Sequence, residues 1–263
     1  MNKIGIINFK GGVGKSTITG NLGAFLKARG KKVILIDLDP QSSLTVSLGF
    51  PDPDNIDKNI TELMLNIMEN KPFDIKEYIL KNKEGLLLIP SGQDLTKIEL
   101  RLHSEISREY ILKRALEQLD NYNFDYIIID SPPFISLLTV NILSYIQGAL
   151  IPITPDFLSY KAFSILKDSL VNIKNKTNKE LEIIGIVFNA ADLRTFHSRN
   201  LIEFVKKAFG NNTYIFTSII RAHTGIREAQ IKGQSIISYG PDSIGTRDYN
   251  KFVNEFLEVM KNG

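Results

Sequence analysis

Cysteine is absent from the 263-residue chain, which excludes disulfides and thiolate metal sites and agrees with a reducing compartment. A run of eighteen apolar residues is also missing, so no membrane span is expected. The first strand begins almost at Met1 and leaves no room for a signal peptide, so the expected location is the cytoplasm. Charge of one sign is not in excess either: the net charge is only +3, and the chain as a whole is no polycation. Internal repeats, low-complexity tracts and linkers are lacking, and one domain over 1–263 is the simpler organisation. What remains is 43% hydrophobic and 23% charged, an ordinary globular composition.

Residues 10–17 read Lys-Gly-Gly-Val-Gly-Lys-Ser-Thr, directly after the apolar run Ile4-Gly5-Ile6-Ile7. Glycines at Gly11, Gly12 and Gly14 let the backbone fold tightly around a triphosphate with its N–H groups turned inward. Lys15 is then placed for the β- and γ-phosphates and the Ser16 hydroxyl for Mg²⁺. The helix that follows presents its N-terminus to the anion. The general pattern asks for a glycine five positions before Gly14, where Phe9 stands, and the string adds a second cation, Lys10. The competing reading is a glycine turn that binds nothing.

Strand and helix patterns alternate along the chain, which predicts a parallel sheet with helices on both faces. Strands are expected at 3–8, 33–36, 86–89, 126–130, 149–153, 183–189 and 214–219. Helices are expected at 15–29, 60–69, 74–81, across 93–120, and at 137–146, 159–174, 195–209 and 244–261. Residues 50–60, rich in Pro, Asp and Asn, read as a loop. Asp130 ends an all-apolar strand, where open parallel sheets place their ligands, and is a candidate for Mg²⁺; the alternative is a helix-capping Asp. Asp37 and Asp39 close the second strand in Asp-Leu-Asp-Pro-Gln.

The form Lys-Gly-Gly-x-Gly-Lys-[Ser/Thr] resembles the deviant Walker A motif of the ParA/MinD ATPase superfamily. Ile127-Ile128-Ile129-Asp130-Ser131-Pro132-Pro133 is similar to its Walker B motif, and further strings through Tyr239-Gly240-Pro241-Asp242-Ser243 are similar to ParA/Soj proteins. The likeness is weakest over 50–85. It implies a doubly wound α/β fold of the P-loop NTPase type, with ATP and Mg²⁺ as cofactors. The nucleotide would be held by residues 10–17, including Val13 and Thr17, with Asn189 on the base. Ser16 and Asp130 would hold the metal and Asp37 would support it from behind. Asp39 would position the attacking water. Lys10 would reach across a homodimer to the partner subunit's ATP, supplying positive charge where negative charge develops. The absence of cysteine closes the iron–sulfur branches of the superfamily.

Between residues 194 and 232 stand seven basic residues against two acids. On composition alone this is a solvated helix face. The resemblance turns it toward sequence-independent DNA binding, with Arg194 in Asp-Leu-Arg-Thr matching best and Arg221, Arg227 and Lys232 in a second segment; Lys206 and Lys207 stay open. The tail 255–263 carries two acids and one lysine, unlike the basic membrane helix of MinD relatives, so no membrane partner is expected. No helix-turn-helix precedes the phosphate loop, as in Soj-like forms. The resemblance thus implies a nucleoid-associated partition ATPase stimulated by a ParB-type partner to segregate plasmid or chromosomal origin DNA. The alternatives are a positioning ATPase for a chemoreceptor array or protein microcompartment, a MinD-like protein, and a metabolic P-loop enzyme with a small-molecule acceptor.

Overall fold

Side-chain alternation on the strands decides which side of the sheet each residue serves. In the computed structural model, which describes residues 1–210 and 213–262, eight strands form one sheet. They are β1 (Asn2–Ile6), β2 (Val33–Asp37), β3 (Leu80–Lys81), β4 (Leu87–Ile89), β5 (Tyr126–Asp130), β6 (Gly148–Ile153), β7 (Glu182–Ala191) and β8 (Ile215–Arg221). Their order is β3-β4-β2-β5-β1-β6-β7-β8, and every pairing is parallel except β3 with β4. Both faces must therefore be covered, and helices supply the cover.

On one face pack α1 (Lys15–Ala28), α2 (Ser43–Ser47), α9 (Thr224–Ile231), α10 (Ile236–Tyr239) and α11 (Ile244–Asn262). Their Ile18, Leu22, Phe25, Leu44, Ile226, Tyr249, Phe252 and Phe256 meet Ile4 and Ile6 of β1, Leu35 of β2 and Ile128 of β5. On the other face lie α3 (Ile60–Met68), α4 (Leu95–Leu102), α5 (Ile111–Leu116), α6 (Leu137–Tyr145), α7 (Phe157–Lys176) and α8 (Phe196–Phe209). They meet Ile34 and Ile36 of β2, and Ile127 and Ile129 of β5. The fold is the doubly wound α/β arrangement expected from the sequence.

Three local expectations are corrected. Residues 93–120 are not one helix: α4 stops at Leu102, a 3₁₀ turn covers Arg108–Tyr110, and α5 gives way to a second 3₁₀ turn, Glu117–Tyr122. The break includes Ser107, whose φ of 53° no right-handed helix can absorb. The segment 74–81 is a 3₁₀ turn (Ile75–Tyr78) followed by β3, whose edge pairing with β4 outweighs the helical pattern. Helices α2, α9 and α10 are additions, each of eight residues or fewer, too short for a 3.6-residue period to register.

Candidate nucleotide site

Central strand pairing gathers the chemistry. Asp130 of β5 lies in register with Ile6 of β1 on one side and Asp37 of β2 on the other. Alternation puts both carboxylates on the α1 face, because Leu35 and Ile128, two residues earlier, already point there. Between β1 and α1 the chain makes the glycine loop. Gly12 and Gly14 have φ of 77° and 86°, values a side chain rarely tolerates. A Cβ on Gly14 would stand 2.1 Å from the Asn189 amide nitrogen, so the loop also depends on glycine for the space that β7 takes.

The loop is held from behind by Asn8, which no motif singles out, together with Asn189 and Ser131. Asn8, fully buried, donates its amide to Pro152 O at 2.7 Å and accepts the Lys10 backbone N–H at 2.9 Å. Asn189 donates to Val13 O at 2.8 Å, and Ser131 to Ile6 O at 2.8 Å. Lys15 is buried and directs its ammonium to Lys10 O at 3.4 Å. The Thr19 hydroxyl reaches Asp130 Oδ1 at 3.4 Å, and Ser16 lies near enough to lower the cost of the Asp130 charge.

The three carboxylates differ in how they are satisfied. Asp37 accepts the Thr45 backbone N–H at 2.8 Å and hydroxyl at 2.7 Å, plus the Asp39 N–H at 3.2 Å. It thereby fastens α2 and the loop before it to β2. Asp39 accepts the Gln41 N–H at 3.0 Å, and its own carbonyl takes the Ser91 hydroxyl at 2.8 Å. Asp130 is fully buried, and its Oδ2 has no hydrogen-bond partner among the described residues.

Electrostatics follow from that crowding. Burial pushes Asp37 up to about 6, against the hydrogen bonds from Thr45 and Asp39. Burial, then the Asp37 charge, raises Asp130 well above the carboxylate range despite Ser16 and Lys15. Burial raises Asp39 as well, and lowers Lys15 against the pull of Asp130 and Asp39. Asp39 and Asp130 thus share one buried ammonium while Asp37 presses its charge on Asp130, and further positive charge would relieve the group. The orphaned Asp130 oxygen and the glycine loop fit a Mg²⁺–phosphate group. Among the described residues no cluster of three His, Cys, Asp or Glu could hold a metal without that phosphate contribution.

Two cavities adjoin the loop. One of about 410 Å³ is lined by Gly11, Lys15, Ser16, Asp39 and Pro133 and corresponds to the phosphate side. The other, about 320 Å³, is lined by Gly12, Gly14 and Thr17 on one wall and by Asn189, Arg221, His223 and Arg227 among others on the opposite wall. Ala190 also lines it with φ 51°, a left-handed strain of about 1–2 kcal/mol.

The family described as an AAA domain matches residues 1–183. The sporulation initiation inhibitor protein Soj of Bacillus subtilis is 36% identical over 260 residues, covering 99% of this chain and 98% of Soj. The chain belongs to the ParA/Soj family of deviant Walker A ATPases. Two solved structures extend the comparison to bound nucleotide. Cobyrinic acid a,c-diamide synthase from Mycobacterium smegmatis, with bound ATP analogue and magnesium, superposes with a TM-score of 0.84 at 30% identity, covering 99% of this chain and 96% of that one. An ATP complex of a McdA variant from Cyanothece gives 0.82 at 25% identity, covering 98% and 96%.

Family membership puts the remaining candidates in context. Lys10, which the resemblance sends to a second subunit, here lies with its Nζ 2.7 Å from both carboxylate oxygens of Asp156 in its own chain. Arg194 is 91% exposed and grips Asp192 through two hydrogen bonds of 2.9 Å. Arg221, grouped by sequence with the DNA contacts, is instead committed to buried Asp248 at 2.6 and 2.8 Å beside the second cavity. Arg227 lines that cavity too, and Lys232 lies exposed at the end of α9. No described helix is long and apolar enough to cross a membrane.

Proposed function

We propose that the chain is a Mg²⁺–ATP-dependent partition ATPase. It dimerises around ATP, binds DNA without sequence preference while ATP lasts, and hydrolyses ATP slowly when a ParB-type partner stimulates it. The observation that carries the nucleotide part is buried Lys15 facing Asp39 and Asp130, with Asp37 beside Asp130 and an unpaired Asp130 oxygen behind a glycine loop. Residues 11–17 would cradle the phosphates through backbone N–H groups, with Lys15 on the terminal phosphates. Ser16 and Asp130 would hold Mg²⁺, which supplies charge neutralisation on the phosphate oxygens. Asp37 keeps α2 in place and so fixes Asp39, whose carboxylate faces the phosphate cavity and would orient water there.

Lys10 distinguishes this reading from a metabolic one, which the similarity to the Mycobacterium smegmatis synthase favours. In a metabolic enzyme the cavity beside Asp39 and Pro133 would take a small acceptor, and Lys10 would remain on Asp156. In a partition or positioning ATPase, Lys10 exchanges Asp156 for the partner subunit's nucleotide. Lys10→Ala should therefore bind ATP yet remain monomeric by light scattering, where the unaltered chain becomes a dimer. An ATP-induced dimer of unchanged affinity in the variant would sink the sandwich.

A further inference from the structure

We propose that Arg227 is a nucleotide ligand, holding the α-phosphate end of the bound nucleotide, so that α9 closes on the nucleotide instead of serving a DNA surface. The inference rests on the nucleotide reading above and names a residue of that same site. The second cavity is lined by two guanidiniums, Arg221 and Arg227, and no carboxylate of the described residues lines it. Arg221 is already neutralised by the two hydrogen bonds to Asp248. Arg227 makes no hydrogen bond or ion pair with any described residue. The neighbouring acid on its helix, Glu228, accepts the Tyr239 hydroxyl at 2.9 Å. One unpaired cation thus borders a cavity without anions, which is the chemistry of an anion site.

The position of α9 makes that anion the nucleotide. Gln230, three residues on and on the same helix face, donates to the Thr17 hydroxyl at 3.0 Å. Thr17 stands in the first turn of α1, where backbone N–H groups meet the α- and β-phosphates. At the other end of α9, His223 accepts the Gly225 N–H through Nδ1 at 3.1 Å and caps the helix at the cavity wall. The helix is therefore capped at its start and tied to α1 through Gln230, with Arg227 between them in the lining it shares with Gly12, Gly14 and Thr17.

The test is calorimetric titration with Mg²⁺–ADP, which needs no second subunit. A charge-assisted hydrogen bond contributes about 1.5–3 kcal/mol, so Arg227→Ala should weaken ADP binding roughly ten- to hundredfold. Arg227→Lys should recover part of that loss, and circular dichroism should show both variants folded. Unchanged ADP affinity in Arg227→Ala, together with a DNA salt dependence flatter by about one unit of log–log slope, would make Arg227 a DNA contact and overturn the proposal. Failure of the unaltered chain to bind ADP would overturn the nucleotide reading and this inference with it.

Discussion

Asp39 carries the sharpest chemical expectation among single residues. It is 7% exposed, faces the phosphate cavity, and is held by the Gln41 N–H on one oxygen, which leaves the other for a water. Asp39→Ala removes that acceptor and one of three crowded negative charges, so ATP binding should persist. Turnover should fall by roughly 10²-fold or more, the scale of losing a positioned base. Phosphate release and light scattering on one sample should then show slow hydrolysis with a long-lived ATP dimer, and ordinary turnover by the variant would move water positioning elsewhere. The residues of this site were legible to the extent that they are contiguous. Lys10 to Thr17 announce themselves within eight positions, and Asp130 closes an apolar strand. Asn8 and Asp156 were not legible, because their roles depend on Pro152 and Lys10, 144 and 146 positions away, which only sheet pairing brings near.

At the scale of elements, long apolar strands and amphipathic helices follow from pattern, whereas α2 and α9 exist because of what they touch. Helix α2 has five residues and is held by Asp37 through Thr45; α9 is held by Thr17 through Gln230. Neither partner is visible in a local window. The edge of the sheet offers a test of the same kind. Glu255 of α11 accepts the N–H groups of Thr217 at 2.7 Å and Ser218 at 2.8 Å, with the Ser218 and Tyr214 hydroxyls at 2.5 and 2.9 Å. It thus covers donors that an edge strand would otherwise leave open. Burial alone would raise this carboxyl, but the hydrogen bonds from Ser218, Thr217 and Tyr214 outweigh it and hold Glu255 below its ordinary value. A lowered folded value means the stabilisation is present above the unfolded value, near about 4.3. It disappears as pH falls through the lower folded value. Glu255→Gln should cost about 1–2 kcal/mol in unfolding free energy from denaturant titration at pH 7, and much less in acid, where Glu255 itself is protonated. An equal cost at both pH values would assign the effect to packing.

Across the whole molecule, a basic stretch that looks continuous in sequence is distributed by the fold. Arg194 follows the C-terminal end of β7, at the sheet edge where the phosphate loop also lies. Lys206 and Lys207 lie in the last turn of α8, about 15 Å along the helix from its start, and Lys206 is paired with Glu203 at 3.1 Å. Arg221 and Arg227 line the second cavity. Of the basic residues matched to DNA by resemblance, Arg194, Arg227 and Lys232 are exposed, and Arg227 also borders the second cavity, so two-fold repetition in a dimer matters more than local charge density. Arg194 also brings its own counter-charge. Asp192 is held down to about 2 by the Arg194 hydrogen bonds, so it is ionised at any working pH and a phosphate must displace it. Two substitutions then move DNA affinity in opposite directions. Arg194→Glu should weaken ATP-dependent binding to random-sequence duplex and flatten its log–log salt dependence by about one unit for each phosphate the side chain no longer neutralises. Asp192→Asn frees the guanidinium and should strengthen binding with the slope steepened or retained. Fluorescence anisotropy at salt concentrations from about 50 to 200 mM reads both. Equal affinities for the two variants and the unaltered chain would remove Arg194 from the DNA surface.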